Sequence, residues 1–291
     1  MAERSIPGLS AALKARLRLL FRLLGALSPT LAARLALRLF TTPFKRPVDD
    51  VELQFLHTAR QRRLRTDCGT LQCYEWPGAG PTILIVHGWI SHAARFADVI
   101  RTLQLHGLRV VAFDAPAHGR SSGQRADARA FQIAIAAVSE AYGPIDGVLA
   151  HSFGALNTAS WLAGAVAPPV RAAVLVGMPR DGQYLLESFT LMLDLPSRVV
   201  ARLRELVIAR YGRAPETFSA TTLAAQIHIP VLLVHGDADE LVPAEHSSEV
   251  AERLVNGQVQ IVEGLQHSAP LRDPQTIAYM ARFLLENLPV G

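Results

Sequence analysis

From residue 70 onward, short apolar runs alternate with stretches of helical periodicity. The runs Leu71–Trp76, Thr82–Val86, Arg109–Phe113, Gly147–Ala150, Ala172–Val176, Val231–Val234 and Val259–Val262 are rich in Val, Ile and Leu. Continuous apolar runs of this length read as strands, most of them buried on both faces. Helical patterns lie between them at about His92–His106, Asp127–Tyr142, Phe153–Val166, Ala244–Val255 and Pro274–Leu285. This alternation predicts an α/β fold, a mostly parallel doubly wound sheet with helices on both sides. One segment breaks the rhythm. About 50 residues of helical character, including Leu185–Leu193 and Pro196–Tyr211, separate the strand ending near Gly177 from the one starting near Pro230. A single crossover helix does not need that length. A helical insertion over about 178–228 is therefore expected, as a lid over the sheet's carboxyl edge, where open α/β sheets bind ligands.

The first 40 residues follow another pattern. Leu9, Leu13, Leu17, Leu20, Leu24 and Leu27 recur at three- and four-residue steps, with Lys14, Arg18 and Arg22 away from them, which predicts an amphipathic helix. Ser28-Pro29 supplies an N-cap and a first-turn proline for a second helix, carried by Leu31, Leu35 and Leu39 and stopped at Thr41-Thr42-Pro43. The expected organisation is a basic helical extension over 1–65 and an α/β domain over 66–291. A basic amphipathic helix can lie on an anionic membrane surface. It can also pack on the protein's own core or on a second subunit, which makes a homodimer, and packing is the expectation here.

Charge sharpens that picture. The chain of 291 residues is half apolar, 19% charged and carries a net charge of +4, as suits a soluble globular enzyme and not a disordered chain. Residues 1–65 hold 13 Lys and Arg against 4 Asp and Glu, leaving 16 basic and 21 acidic residues for the remainder. The basic character thus belongs to the N-terminal segment, which shows no nucleic-acid motif, and no nucleic-acid partner is expected. Cys68 and Cys73 are too few for a disulfide scaffold and read as strand residues, not metal ligands. Arg4, Lys14, Arg16, Arg18 and Arg22 interrupt any signal-like apolar core, and the uncharged run Leu23–Ala33 contains Pro29 and is far short of a span. The expected location is cytoplasmic, with any peripheral contact at the inner membrane surface.

The chemistry concentrates where strands end. In Gly147-Val148-Leu149-Ala150-His151-Ser152-Phe153-Gly154-Ala155 an apolar strand runs into a serine and straight into a helix. Serine is a poor nucleophile at neutral pH and must be lifted to where a base can reach it. A sharp strand-to-helix turn does this and demands small residues two before and two after the serine, here Ala150 and Gly154. Upstream, Ile83-Leu84-Ile85-Val86-His87-Gly88-Trp89 is a strand ending in His-Gly-aromatic.

At these motifs the chain resembles the α/β-hydrolase family, as a serine esterase- or lipase-like member, over roughly residues 70 to 290. The resemblance implies an oxyanion hole from the backbone N–H groups of Trp89 and Phe153, with His87, Gly88, Ala150, His151 and Gly154 supporting the elbow and its neighbouring loop. Asp114-Ala115-Pro116-Ala117-His118-Gly119-Arg120-Ser121 is similar to the family's D-x-P-G-H-G-x-S loop, with Ala117 in the usual glycine position. The acid and base should follow the nucleophile in the order Ser, Asp, His. Gly236-Asp237-Ala238-Asp239-Glu240-Leu241-Val242-Pro243 resembles G-x-x-D-x-x-V-P and selects Asp239 over Asp237. His267 follows the last strand and Gly264, 28 residues beyond Asp239. Ser152, Asp239 and His267 are thus the expected catalytic residues, with no metal and no cofactor required.

The expected substrate is a small-molecule carboxylic ester, cleaved through an acyl-enzyme on Ser152. The apolar insertion and the aromatic rings of Trp89 and Phe153 favour an apolar acyl group; the alternative is that the insertion's apolar residues serve only to pack the lid onto the body. A thioesterase, a C–C bond hydrolase or a cofactor-free perhydrolase would keep the same three residues. A different class of reading is a catalytically silent binding protein that docks on membranes through the N-terminal helices.

Overall fold

A computed structural model describes residues 10–164 and 169–288. In chain order the elements are α1 (Ala11–Leu27), α2 (Pro29–Phe40), α3 (Asp50–His57), β1 (Arg60–Thr66), β2 (Gly69–Trp76), β3 (Thr82–Val86), α4 (Ala97–Leu105), β4 (Arg109–Asp114), α5 (Ala128–Tyr142), β5 (Gly147–His151), α6 (Phe153–Leu162), β6 (Ala172–Val176), α7 (Gly182–Met192), α8 (Ser197–Tyr211), α9 (Ala220–Leu223), β7 (Val231–Gly236), α10 (Glu245–Ala251), β8 (Gly257–Val262) and α11 (Pro274–Asn287). They fall into two units, one of residues 43–180 and 220–288, the other of 10–42 and 181–219.

The first unit is built on one eight-stranded sheet in the order β1-β2-β4-β3-β5-β6-β7-β8. β1 and β2 join antiparallel, as do β2 and β4, and every pairing from β4 through β3 to β8 is parallel. The central strands β3, β5, β6 and β7 are buried throughout, as expected where helices cover both faces. β8 departs from that expectation. It is an edge strand, so Val259 and Ile261 are exposed. Cys73 lies buried in β2, whereas Cys68 sits in the turn after β1 and is not a strand residue.

The expected helical extension over 1–65 does not hold as one piece, because residues 43–65 belong with the sheet. β1 pairs with β2 along its full length, and its sequence Arg-Gln-Arg-Arg-Leu-Arg-Thr leaves a charged outer edge, which discourages pairing with another chain. α3 begins at a capping box. The Asp49 side chain accepts from Glu52 N–H, and the Glu52 carboxylate accepts from Asp49 N–H.

The second unit is helical and has its own core. Phe21 of α1 and Ala32, Ala33 and Ala36 of α2 pack with Leu193, Val199 and Leu203 of the insertion. α1 meets this core with a face rotated from the leucine stripe read in the sequence, of which Leu17 and Leu24 do pack against the core. Lys14, Phe21 and Gly25 are buried, while Leu13, Leu20 and Leu27 are exposed, and Leu9 lies outside the described residues. The rotation has a local cause. Gly25 lets the helix approach so closely that a Cβ there would lie 2.9 Å from Val199 Cγ2. Arg18 Nε–H donates to Met192 O and Arg22 pairs with Asp194 at 2.5 Å, fixing the same orientation. The expected helix Phe153–Val166 ends at Leu162, and residues 165–168 lie outside the described residues.

Candidate active site

The site is assembled where β3, β5, β6 and β7 end. Between β5 and α6, Ser152 takes φ 56° and ψ −126°, a region costing a non-glycine residue about 1–3 kcal/mol unless its surroundings hold it. They do so from several sides. Ser152 N–H donates to Val176 O at 2.8 Å. Ala150 is completely buried, so its methyl is accommodated two residues before the serine. At Gly154 a Cβ would run into the carbonyl oxygen of His87, which gives the small residue after the serine a steric reason.

Ser152 Oγ–H donates to His267 Nε2 at 2.9 Å, and His267 Nδ1–H donates to Asp239 Oδ2 at 2.6 Å. The tautomer follows from the partners. An ionised carboxylate only accepts, so Nδ1 carries the proton and Nε2 is left with a lone pair facing the serine. Asp239 is 1% exposed at its side chain, and its other oxygen accepts the N–H groups of Leu241 and Val242 at 2.8 and 2.9 Å. Burial alone would raise its pKa, but hydrogen bonds from His235 and His267 outweigh burial and hold the carboxyl well below its ordinary range. Asp237, the rejected alternative, instead accepts Gly264 N–H at 2.6 Å and so ties the loop that carries His267.

The support residues are in place around this trio. Gly88 passes close to the nucleophile, and a Cβ there would lie 2.8 Å from Ser152 Cβ. This brings the backbone of Trp89 to the elbow, where the Trp89 and Phe153 rings meet edge to face at 5.6 Å. Among the described residues neither the Trp89 nor the Phe153 N–H has a protein acceptor. His87 accepts Ala115 N–H on Nε2 and donates from Nδ1 to Gly88 O, at 2.8 and 2.7 Å. Burial pulls its pKa down to about 3, so it stays neutral and braces the loop. His151 Nε2–H donates to His267 O at 3.0 Å, and burial, then the nearby His267, bring its pKa down to about 3. Asp114 is fully buried and accepts from Ala93 N–H, Tyr74 O–H and Arg120 N–H, a loop brace with its capacity used.

Two residues that the sequence did not single out complete the arrangement. His235 Nε2 lies 3.1 Å from Asp239 Oδ2 and 3.0 Å from Val242 O, and its Nδ1 lies 2.7 Å from Ser247 Oγ. The only sequence signal for His235 is its place four residues before Asp239 at a strand end. Nothing in sequence alone marks Ser247 on α10. Among the described residues no group of three or more His, Cys, Asp or Glu could hold a metal ion.

A family model described as serine aminopeptidase, S33, matches residues 79–215. A non-heme haloperoxidase of Rhodococcus erythropolis is 29% identical, the match covering 68% of this chain and 90% of that protein. A bifunctional esterase/perhydrolase of Acinetobacter calcoaceticus is 27% identical, over 70% and 91% respectively. Among solved structures, a Pyrococcus furiosus esterase superposes with a TM-score of 0.66 at 19% identity, covering 86% of this chain and 98% of that one.

Proposed function

We propose, from the premise that the chain is an esterase-like member of the α/β-hydrolase superfamily, that it cleaves a small-molecule carboxylic ester through an acyl-enzyme on Ser152. The observation that carries this reading is the unbroken path of hydrogen bonds from Ser152 through His267 to Asp239. His267 takes the serine proton as Oγ attacks the acyl carbonyl, while Asp239 holds the tautomer and stabilises the imidazolium. The N–H groups of Trp89 and Phe153 receive the oxyanion, and fixed donors of this kind contribute about 10²- to 10³-fold each. Protonated His267 then releases the alcohol, and a water activated by the same imidazole cleaves the acyl-enzyme. A fluorophosphonate probe with a panel of p-nitrophenyl esters from acetate to palmitate tests it. Labelling and turnover in the native chain, both lost in Ser152→Ala, are expected, with preference for the longer, apolar acyl groups. A well-folded chain that neither labels nor turns over any ester overturns the reading in favour of a silent binding protein. The name of the Acinetobacter calcoaceticus relative favours one second reading, interception of the same acyl-enzyme by hydrogen peroxide. Peracid formation on adding peroxide and acetate would reveal it.

The same reading includes a cytoplasmic enzyme whose α1–α2 hairpin rests on an anionic membrane surface. Leu19, Leu23, Leu27 and Leu31 are 54–85% exposed, and residues 10–48 hold eight Lys or Arg and no Asp or Glu. Exposed leucines set among cations suit an interfacial contact, and each cation near an anionic surface adds about 1 kcal/mol. A second copy is the weaker occupant, since Arg16, Arg34 and Arg38 are also exposed on these two helices and would bring like charges together in a symmetric contact. The expected result is co-sedimentation with vesicles of phosphatidylglycerol and phosphatidylcholine, lost in the triple variant Leu19→Ser, Leu23→Ser, Leu27→Ser. A native chain that stays in the supernatant at low salt, or that dimerises through this face, overturns it. No helix of the described residues is long and apolar enough to cross a membrane.

A further inference from the structure

Asp239 serves two imidazoles. Its Oδ2 faces His267 Nδ1 at 2.6 Å and His235 Nε2 at 3.1 Å. His235 is completely buried at the end of β7, and Ser247, also completely buried, reaches it from α10. The protons can be placed from the partners. Both neighbours of His235 Nε2, the Asp239 carboxylate and Val242 O, are acceptors, so Nε2 must carry a hydrogen. Its Nδ1 then offers a lone pair, and the Ser247 hydroxyl donates to it. The result is two donor arms of five side chains in all that converge on Asp239: Ser247 donates to His235 and Ser152 to His267, and both imidazoles donate to the carboxylate.

We infer that His235 is a positioning residue for the Asp239–His267 pair. It holds one carboxylate oxygen in place and moderates that oxygen's pull on the His267 imidazole, while Ser247 fixes which His235 nitrogen carries the proton. The reasoning is electrostatic. A carboxylate oxygen shared with a second N–H donor has less negative charge to offer an imidazolium than one that is not shared, and in a buried site such hydrogen bonds polarise one another. Asp239 therefore orients His267 through an oxygen whose pull is divided between two N–H donors. The other titratable groups around the pair are Ser152 and His151 at the elbow, with Arg95 farther off, His246 on α10, and Asp237, which is engaged by Gly264 N–H. None of them donates to Asp239 Oδ2.

The importance of this arrangement for catalysis rests on the proposed serine chemistry, but its test does not need turnover. The His267 titration is followed in the full chain by NMR of the imidazole Cε1–H group, assigned by its loss in His267→Gln. His235→Leu removes the donor at similar volume, and the His267 midpoint is expected to rise by about half a pH unit to one unit. His235→Gln, whose amide Nε2–H can reach the same oxygen, is expected to return the midpoint most of the way to the native value. Ser247→Ala, a smaller change that keeps the chain testable if His235→Leu does not fold, is expected to shift it in the same direction by less. An unchanged midpoint in His235→Leu, or in Ser247→Ala where only that variant folds, overturns the inference, as does a His235→Gln midpoint matching His235→Leu. Fluorophosphonate labelling of Ser152 is read separately, so a failure of the hydrolase reading is not confused with a failure of this one.

Discussion

Gly177 lies against the edge of the His267 ring: a Cβ at residue 177 would stand 3.2 Å from His267 Cε1 and 3.3 Å from Nδ1. The residue follows β6, has φ +56° and donates its N–H to Val234 O at 2.8 Å, so the backbone cannot easily yield. Gly177→Ala therefore meets both a strained dihedral and a ring that must shift by a few tenths of an ångström. Misplacement on that scale costs catalytic rate. The expected outcome is a fall in kcat of about 10-fold with a smaller change in KM, measured on a p-nitrophenyl ester, alongside a lowered Tm.

Asp239→Asn keeps the shape of the acid while removing its charge. The amide can donate toward His267 Nδ1, which favours the tautomer with its proton on Nε2, facing Ser152. A fall in kcat of about 10³- to 10⁴-fold is expected. The pH dependence is a second check. The folded-state pKa of Asp239 lies below its unfolded value, so its contribution to stability is present above about pH 4 and is lost as pH falls through and below that point. Urea unfolding of the variant should accordingly show a shallower loss of stability between pH 4 and lower values than the native chain does.

Three buried histidines set a separate acid limit. His87, His118 and His151 are held neutral, each with its pKa pulled down to about 3 mainly by burial, whereas in the unfolded chain they take up protons near pH 6.5. Between roughly pH 6.5 and 3 the unfolded state binds more protons than the folded state, so stability falls as pH falls through that window. Each histidine contributes a slope of up to about 1.4 kcal/mol per pH unit. Tm measured from pH 7.5 to 5 should decline, and His118→Gln should flatten the decline. A flat profile in the native chain would contradict the buried neutral assignment.

How much of this was legible beforehand depends on what each feature rests on. The bounds of β3 and β6 were readable to the residue, because continuous Val, Ile and Leu runs have few alternatives in a sheet covered on both sides. β1 was not, since four arginines in seven positions carry no apolar pattern, and its strand character comes from pairing with β2. α3 was missed although Asp49-x-x-Glu52 is a capping signature. The leucine stripe of α1 was half right: Leu17 and Leu24 pack on the core, while the close contact of Gly25 with Val199 turns Leu13, Leu20 and Leu27 outward. Ser152, Asp239 and His267 could be placed by motif and chain order, and the structure brings them together. Ser247 could not, as its meaning arises only when α10 is laid beside β7.

The helical unit offers a last prediction, one that is independent of the chemistry. Phe21 is the one aromatic ring completely buried in a core shared with Ala32, Ala33, Ala36, Leu193, Val199 and Leu203, so Phe21→Ala leaves a cavity that the neighbouring side chains close only in part. A cost of about 3–5 kcal/mol is expected. At Gly25 the problem is reversed. A valine there would overlap Val199 Cγ2 and press on Pro196, 3.4 Å from the first added carbon. Overpacking of this kind costs about 1–3 kcal/mol. Both variants should raise amide exchange in α1 and α2 and expose the Ser28-Pro29 junction to limited proteolysis. Gly25→Ala should fall between native and Gly25→Val. If Gly25→Val leaves exchange in α1 unchanged, the close packing of α1 on α8 is not what holds the hairpin in place.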